Sequence, residues 1–245
     1  MDTETNEKKV EGMSWLSTPM AIVLAGALVA GALYASGSRG GAVAAAPQGS
    51  APAAAAAAVD VKDVKITASV PYIGRPNARL TMAYWSDYQC PFCKQFETVV
   101  LPTLIKEYVD TGKLRIVFKD FPFLGDDSTT AALYKYAVWE AYPDKFFLWQ
   151  QAMFKSQDDE GDRGFGDEAS ILKLIGTIPG MDANTLKALV AKNKDAYTKN
   201  ITEDRDEGAK MGIQGTPGFV IGNQMIAGAL PLENFKATID ALLAK

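Results

Sequence analysis

Cys90 and Cys93 are the only thiols in a chain of 245 residues, and they stand as Cys-x-x-Cys in the run Tyr84-Trp85-Ser86-Asp87-Tyr88-Gln89-Cys90-Pro91-Phe92-Cys93. Thiols at that spacing can close and open a disulfide between them. A zinc site would need four ligands, and with no histidine and no third cysteine only a symmetric dimer completes one. A structural bridge stabilises most when it closes a long loop, whereas this one closes a minimal loop. Thiol–disulfide exchange is the chemistry the pair fits, with no metal and no cofactor.

The neighbouring elements decide how such a pair would react. The run from Leu80 to Trp85 has strand composition, and Phe96, Val99, Val100, Leu104 and Tyr108 follow at helical spacing. Cys90 therefore stands at the mouth of a helix over residues 90–110, with Pro91 in the first turn, where its missing N–H has no partner to lose. Free backbone donors and the positive end of the helix dipole converge there and favour a thiolate. A lowered pKa makes Cys90 both the attacking sulfur and a good leaving group. Cys93 lies one turn further in on the same face and is expected to be more buried, as the resolving thiol.

The remaining elements follow in order. Residues 61–69 alternate as a first strand, Leu80 to Trp85 is a second, and Lys113 to Phe118 (KLRIVF) is a third. Five helices are predicted over 128–142, 144–155, 167–177, 182–191 and 194–211, with Ser128, Asp167 and Asp182 as N-caps. Strands at 218–221 and 224–227 flank Gly222-Asn223, a two-residue hairpin signal, and a last helix begins near Pro231.

This order, with Cys90-Pro91-Phe92-Cys93 and Gly215-Thr216-Pro217-Gly218 as its motifs, resembles a thioredoxin fold carrying the helical insertion of the DsbA family, over residues 59–245 with the insertion at about 125–212. The resemblance implies an α/β fold and a cis Thr216-Pro217 bond against the sulfurs. It also implies disulfide exchange with exported, cysteine-containing polypeptides and reoxidation by a DsbB-like or VKOR-like membrane oxidase. Cys90 and Cys93 are the expected catalytic pair, with Pro91, Phe92, Thr216 and Pro217 tuning the redox couple and binding substrate.

Three departures from the best-known pattern stand out. Phe92 replaces a histidine before the second cysteine, which predicts a milder oxidant. Tyr84 occupies the position six before Cys90 where relatives bury an acid; Asp87 or Glu97 could substitute for it, but a solvated surface role is the better reading of either, which leaves proton transfer unassigned. Thr216 has a hydroxyl able to hydrogen-bond a sulfur, and occurs before the proline in isomerase relatives as well as oxidases. Trp139, Phe146, Phe147, Trp149 and Phe154 read as core, and residues 158–167 (DDEGDRGFGD) as an exposed loop without calcium-ligand spacing.

The N-terminus reads as an anchor. A short polar segment (1–18) precedes an uncharged apolar stretch (19–36) that approaches bilayer length, with Trp15 and Tyr34 as interfacial residues. Lys8 and Lys9 before it favour a cytoplasmic N-terminus and a catalytic domain on the extracytoplasmic side of the cell membrane. Gly26 and Ala30 form a small-xxx-small pair suited to weak dimerisation. Residues 37–58 are an Ala/Pro/Gly-rich tether. With 25 basic against 29 acidic residues and a net charge of −4, nothing invites nucleic acid. The expected activity is a membrane-anchored disulfide oxidase. An isomerase or reductase kept reduced by a membrane donor is the alternative within this chemistry; a tethered peptide-binding module with non-essential cysteines is the alternative outside it.

Overall fold

The computed structural model describes residues 59–158 and 165–245. The expected anchor and tether lie outside them; among the described residues no helix is long and apolar enough to cross a membrane. Five strands form one sheet: β1 (Tyr72–Ile73), β2 (Leu80–Ser86), β3 (Leu114–Asp120), β4 (Gly218–Ile221) and β5 (Gln224–Ala227). Their order is β1-β3-β2-β4-β5, with β2 and β3 parallel and the other pairs antiparallel. The central strands β2 and β3 are buried along almost their whole length. That is why both read as near-continuous apolar runs rather than as alternation.

Alternate residues of β2 feed two cores. Met82 and Tyr84 join the larger cluster, which takes in α1 (residues 91–109), α6 (Leu232–Leu243) and the insertion. Ala83 and Trp85 join a smaller one closed by Val61, Val64, Val70 and Ile213. The insertion comprises α2 (Asp126–Ala141), α3 (Phe146–Ser156), α4 (Glu168–Ile175) and α5 (Ala183–Lys210). Trp149, Phe146 and Phe154 are fully buried, as their spacing predicts.

Four expectations require correction. Residues 61–69 form no strand: Val61–Asp63 is a single 3-10 turn, and the chain then runs unpaired as a strap. The backbone N–H of Lys65 donates to Glu207 of α5 instead of to a strand, and Val61, Val64 and Val70 point into the smaller core. The helices expected at 182–191 and 194–211 are one helix of 28 residues, α5. No Gly or Pro separates them, and Asn193 at the supposed break bonds Glu140 and Tyr197. Ser128 is buried inside the first turn of α2, whose N-cap is Gly125, while Asp167 and Asp182 cap α4 and α5 as expected. Finally, Asp87 and Glu97 are buried.

Candidate active site

α1 begins where β2 ends, and its first residues set the site. Cys90 is the N-cap, in extended conformation, with Pro91 as the first helical residue. Asp87, far from being solvated, ties the approach together: it accepts from the backbone N–H of Gln89 (2.8 Å), Phe123 (2.9 Å) and Leu124 (3.2 Å). A buried carboxylate with three backbone donors is a structural clamp between the β2–α1 and β3–α2 turns. From the insertion, the Gln157 side chain donates to the carbonyls of Tyr88 (2.7 Å) and Cys90 (3.1 Å), and Lys94 donates to the Gln157 carbonyl at 2.5 Å. Opposite them, Thr216-Pro217 is cis, and the Cys90 thiol donates to the Thr216 carbonyl at 3.3 Å.

Both cysteines are free thiols. Cys90 is 3% exposed and Cys93 completely buried, and their pKa values are driven apart. The hydrogen bond from the Cys93 thiol is the main influence that lowers Cys90 from 9.0 to about 6. Burial opposes it, and Thr216 together with the backbone N–H groups of Cys93 and Phe92 reinforces it. Cys93 is pushed up, by burial first and then by Cys90. The buried Thr216 hydroxyl has no protein partner while Cys90 is a thiol. When Cys90 ionises, its own donation to the Thr216 carbonyl ends and the hydroxyl is the neighbouring donor left for the thiolate.

The surroundings are apolar at the rim and polar beneath. Phe92 (59% exposed), between the two cysteines, and Phe123 (53% exposed), whose backbone N–H is held by Asp87, are both open to solvent. A cavity of about 690 Å³ runs along the Thr216-Pro217 loop, lined by Met211, Ile213, Met225 and Ala227 among others. Below the cysteines, the Tyr88 hydroxyl donates to Gln150 (2.9 Å), and the Gln150 amide donates to Glu97 (2.7 Å). Burial pushes Glu97 up to about 8, against the Gln150 hydrogen bond; Tyr84 is also pushed up, by burial and then by Cys93 and Glu97. Sequence reasoning missed Gln150 and Gln157, for which no local signal exists. Glu97 is a candidate acid in the sequence, and only its solvated reading fails: four residues after Cys93, it shares that residue's inward helical face.

The structure brings Cys90, Pro91, Phe92, Cys93, Thr216 and Pro217 to one place, although Phe92 points to solvent. A thioredoxin family model matches residues 67–241, and the chain belongs to that family. Its relatives sharpen the class. The chain is 28% identical to disulfide bond formation protein D of Bacillus subtilis over 170 residues, 69% of this chain and 75% of that one. It is 28% identical to the probable disulfide bond formation protein D of Bacillus anthracis over 178 residues, 71% of this chain and 78% of that one. Among solved structures, oxidised BdbD from Bacillus subtilis superposes with a TM-score of 0.67 at 26% identity, over 77% of this chain and 99% of that one. The thiol-disulfide exchange protein alpha-DsbA2 from Wolbachia pipientis gives 0.61 at 28%, over 71% and 87%. The chain is thus a DsbA-like thiol:disulfide oxidoreductase with the thioredoxin fold and a helical insertion.

Proposed function

We propose that this oxidoreductase works as a disulfide donor to exported polypeptides, with Cys90 as the exchanging sulfur and Cys93 as the resolving one. The observation that carries the reading is the separation of the two thiols: Cys90 lowered to about 6 and Cys93 raised and buried. In the oxidised enzyme a substrate thiolate attacks the Cys90 sulfur, and Cys93 leaves as a thiolate. A second substrate thiolate then attacks the substrate sulfur of the mixed disulfide. Cys90 is released as a thiolate, so the substrate gains a disulfide and the enzyme gains two electrons. A low Cys90 pKa makes this last departure easy and favours the reduced enzyme, which is what a donor needs.

Phe92, Phe123 and the cavity along Thr216-Pro217 offer the substrate an apolar platform and an extended backbone to pair with, which suits broad specificity. Residues 19–36 anchor the catalytic domain on the extracytoplasmic side, residues 37–58 tether it, and a quinone-coupled membrane oxidase of DsbB-like or VKOR-like type restores the disulfide. The Bacillus relatives named for disulfide bond formation support the direction of exchange.

The test is a reduction potential joined to a trapping experiment. A Cys90 pKa near 6 lies between thioredoxin's, about 7, and DsbA's, about 3.5, so the couple is expected between about −270 and −120 mV, with Phe92→His moving it upward. In cells, Cys93→Ala accumulates mixed disulfides with exported proteins and Cys90→Ser forms none. A potential at or below about −270 mV moves the protein to the reductase or isomerase reading. Activity surviving Cys90→Ser makes it a tethered binding module.

A further inference from the structure

Gln157, the residue that ends α3, sends its side chain out of the insertion and into the turn before α1. It is 4% exposed, and its Nε2 donates to the carbonyls of Tyr88 at 2.7 Å and Cys90 at 3.1 Å, 69 and 67 residues back in the chain. Its Oε1 is buried with no partner. An orphaned amide oxygen in a dry interior costs stability, and an apolar side chain of the same length would fill the space without that cost. What the position gains from glutamine is the pair of donor bonds.

The Cys90 carbonyl is an unusual place to spend one. Pro91 has no N–H, so hydrogen bonds can hold the peptide between Cys90 and Pro91 only through that oxygen. It accepts the first bond of α1, from the N–H of Lys94 at 3.1 Å, and a second from Gln157. The orientation of this peptide sets where the next two N–H groups, those of Phe92 and Cys93, point relative to the Cys90 sulfur. A side chain at the N-cap takes its hydrogen bonds from those two positions. The Cys90 thiol makes no such bond, but both N–H groups are among those that lower its pKa. Gln157 is itself held: the Lys94 ammonium donates to its carbonyl at 2.5 Å, and Gln89 of the same turn donates to the Phe165 carbonyl at 3.2 Å.

We propose that Gln157 is a positioning residue for Cys90: from the insertion it holds the Cys90–Pro91 peptide so that the first N–H groups of α1 are aimed at the Cys90 sulfur, and it thereby tunes the redox couple. It acts through the backbone and not on the sulfur. The idea rests on Cys90 being the exchanging thiol. Losing the two donor bonds frees the peptide to turn, the N–H groups lose their aim, and the thiolate loses support. Because a less stable thiolate disfavours the reduced form, the couple then shifts towards the disulfide.

The experiment compares the full chain with Gln157→Met, which keeps the length of the side chain and removes its donors. Alkylation of reduced Cys90 by iodoacetamide is followed against pH, and the Cys90–Cys93 couple is equilibrated with glutathione at pH 7. The wild-type midpoint near 6 should rise in the variant by about one pH unit, the scale of one weakened hydrogen bond to a charged group. The equilibrium should move about fivefold towards the disulfide, the linkage expected at pH 7 for such a rise. A merely structural role predicts a lower urea midpoint with both readouts unmoved; that result overturns the proposal, and so does a Cys90 midpoint that falls. If wild-type alkylation falls on Cys93 instead of Cys90, the assignment of the exchanging thiol fails instead. Should Gln157→Met not fold, the wild type decides by NMR. The side-chain amide nitrogen signal of Gln157 should move with the Cys90 midpoint near pH 6, through the carbonyl it bonds, and a signal that stays still across that range ends the proposal.

Discussion

A thiol that titrates near pH 6 is mostly ionised at neutral pH, and the groups that lower Cys90 are hydrogen-bond donors: the Cys93 thiol first, then Thr216 and the N–H groups of Phe92 and Cys93. The resolving cysteine is therefore also the main support of the exchanging one. In the reduced chain, alkylation of Cys90 by iodoacetamide should rise with a midpoint near pH 6, and Cys93→Ala should move it upward towards 9. A midpoint unmoved by Cys93→Ala would assign the shift to the helix terminus. The sign for stability follows from linkage. A thiol at about 6 in the fold and 9.0 outside it stabilises the reduced state fully above 9, and that contribution disappears as pH falls through 6.

Elements position these residues by close approach, and one contact can be tested cleanly. Gly208 lies inside α5 where a Cβ would come within 2.8 Å of Trp85 Nε1 on β2, and that indole donates to the Asp204 carbonyl at 2.9 Å. An interior helical Gly→Ala change ordinarily stabilises by about 0.5–1 kcal/mol. Here overpacking should win, and Gly208→Ala should destabilise the fold by about 1–2 kcal/mol in urea unfolding, since added core atoms typically cost 1–3 kcal/mol. A more stable variant would mean that the indole yields and that the α5–β2 seam is loose.

At the scale of the molecule, buried charges fasten the insertion to the sheet. Lys135 of α2 pairs with Asp120 of β3 at 2.5 Å; Lys119 of β3 pairs with Asp204 (2.6 Å) and Glu207 (2.9 Å) of α5; and Tyr136 donates to Asp204 at 2.9 Å. Such pairs add little net stability over apolar packing, but removing one partner strands the other, at about 3–5 kcal/mol. Lys135→Met should cost that much, read as a Tm lower by roughly 10 °C for a domain of this size. A drop under about 1 kcal/mol would assign the seam to the apolar contacts alone.

Local chemistry and periodicity made much of this molecule legible in its residues. The Cys-x-x-Cys at a strand-to-helix junction, Pro91 in the first turn and the Gly222-Asn223 hairpin at residues 218–227 are short-range features, and the structure reproduces each. The strap at 61–70 was not legible, because alternating apolar residues serve a strand or an unpaired cover equally well, and only the Lys65–Glu207 bond and the second sheet face decide between them. Nor was the polar underside of the site. Asp87 and Glu97 look like ordinary surface acids until three backbone donors from two turns, and Gln150 from a helix more than 50 residues away, close over them. Residue type and spacing fix which atoms can react; burial and hydrogen-bond partners arrive from distant parts of the chain, and those set the pKa values, so only the tertiary structure decides them.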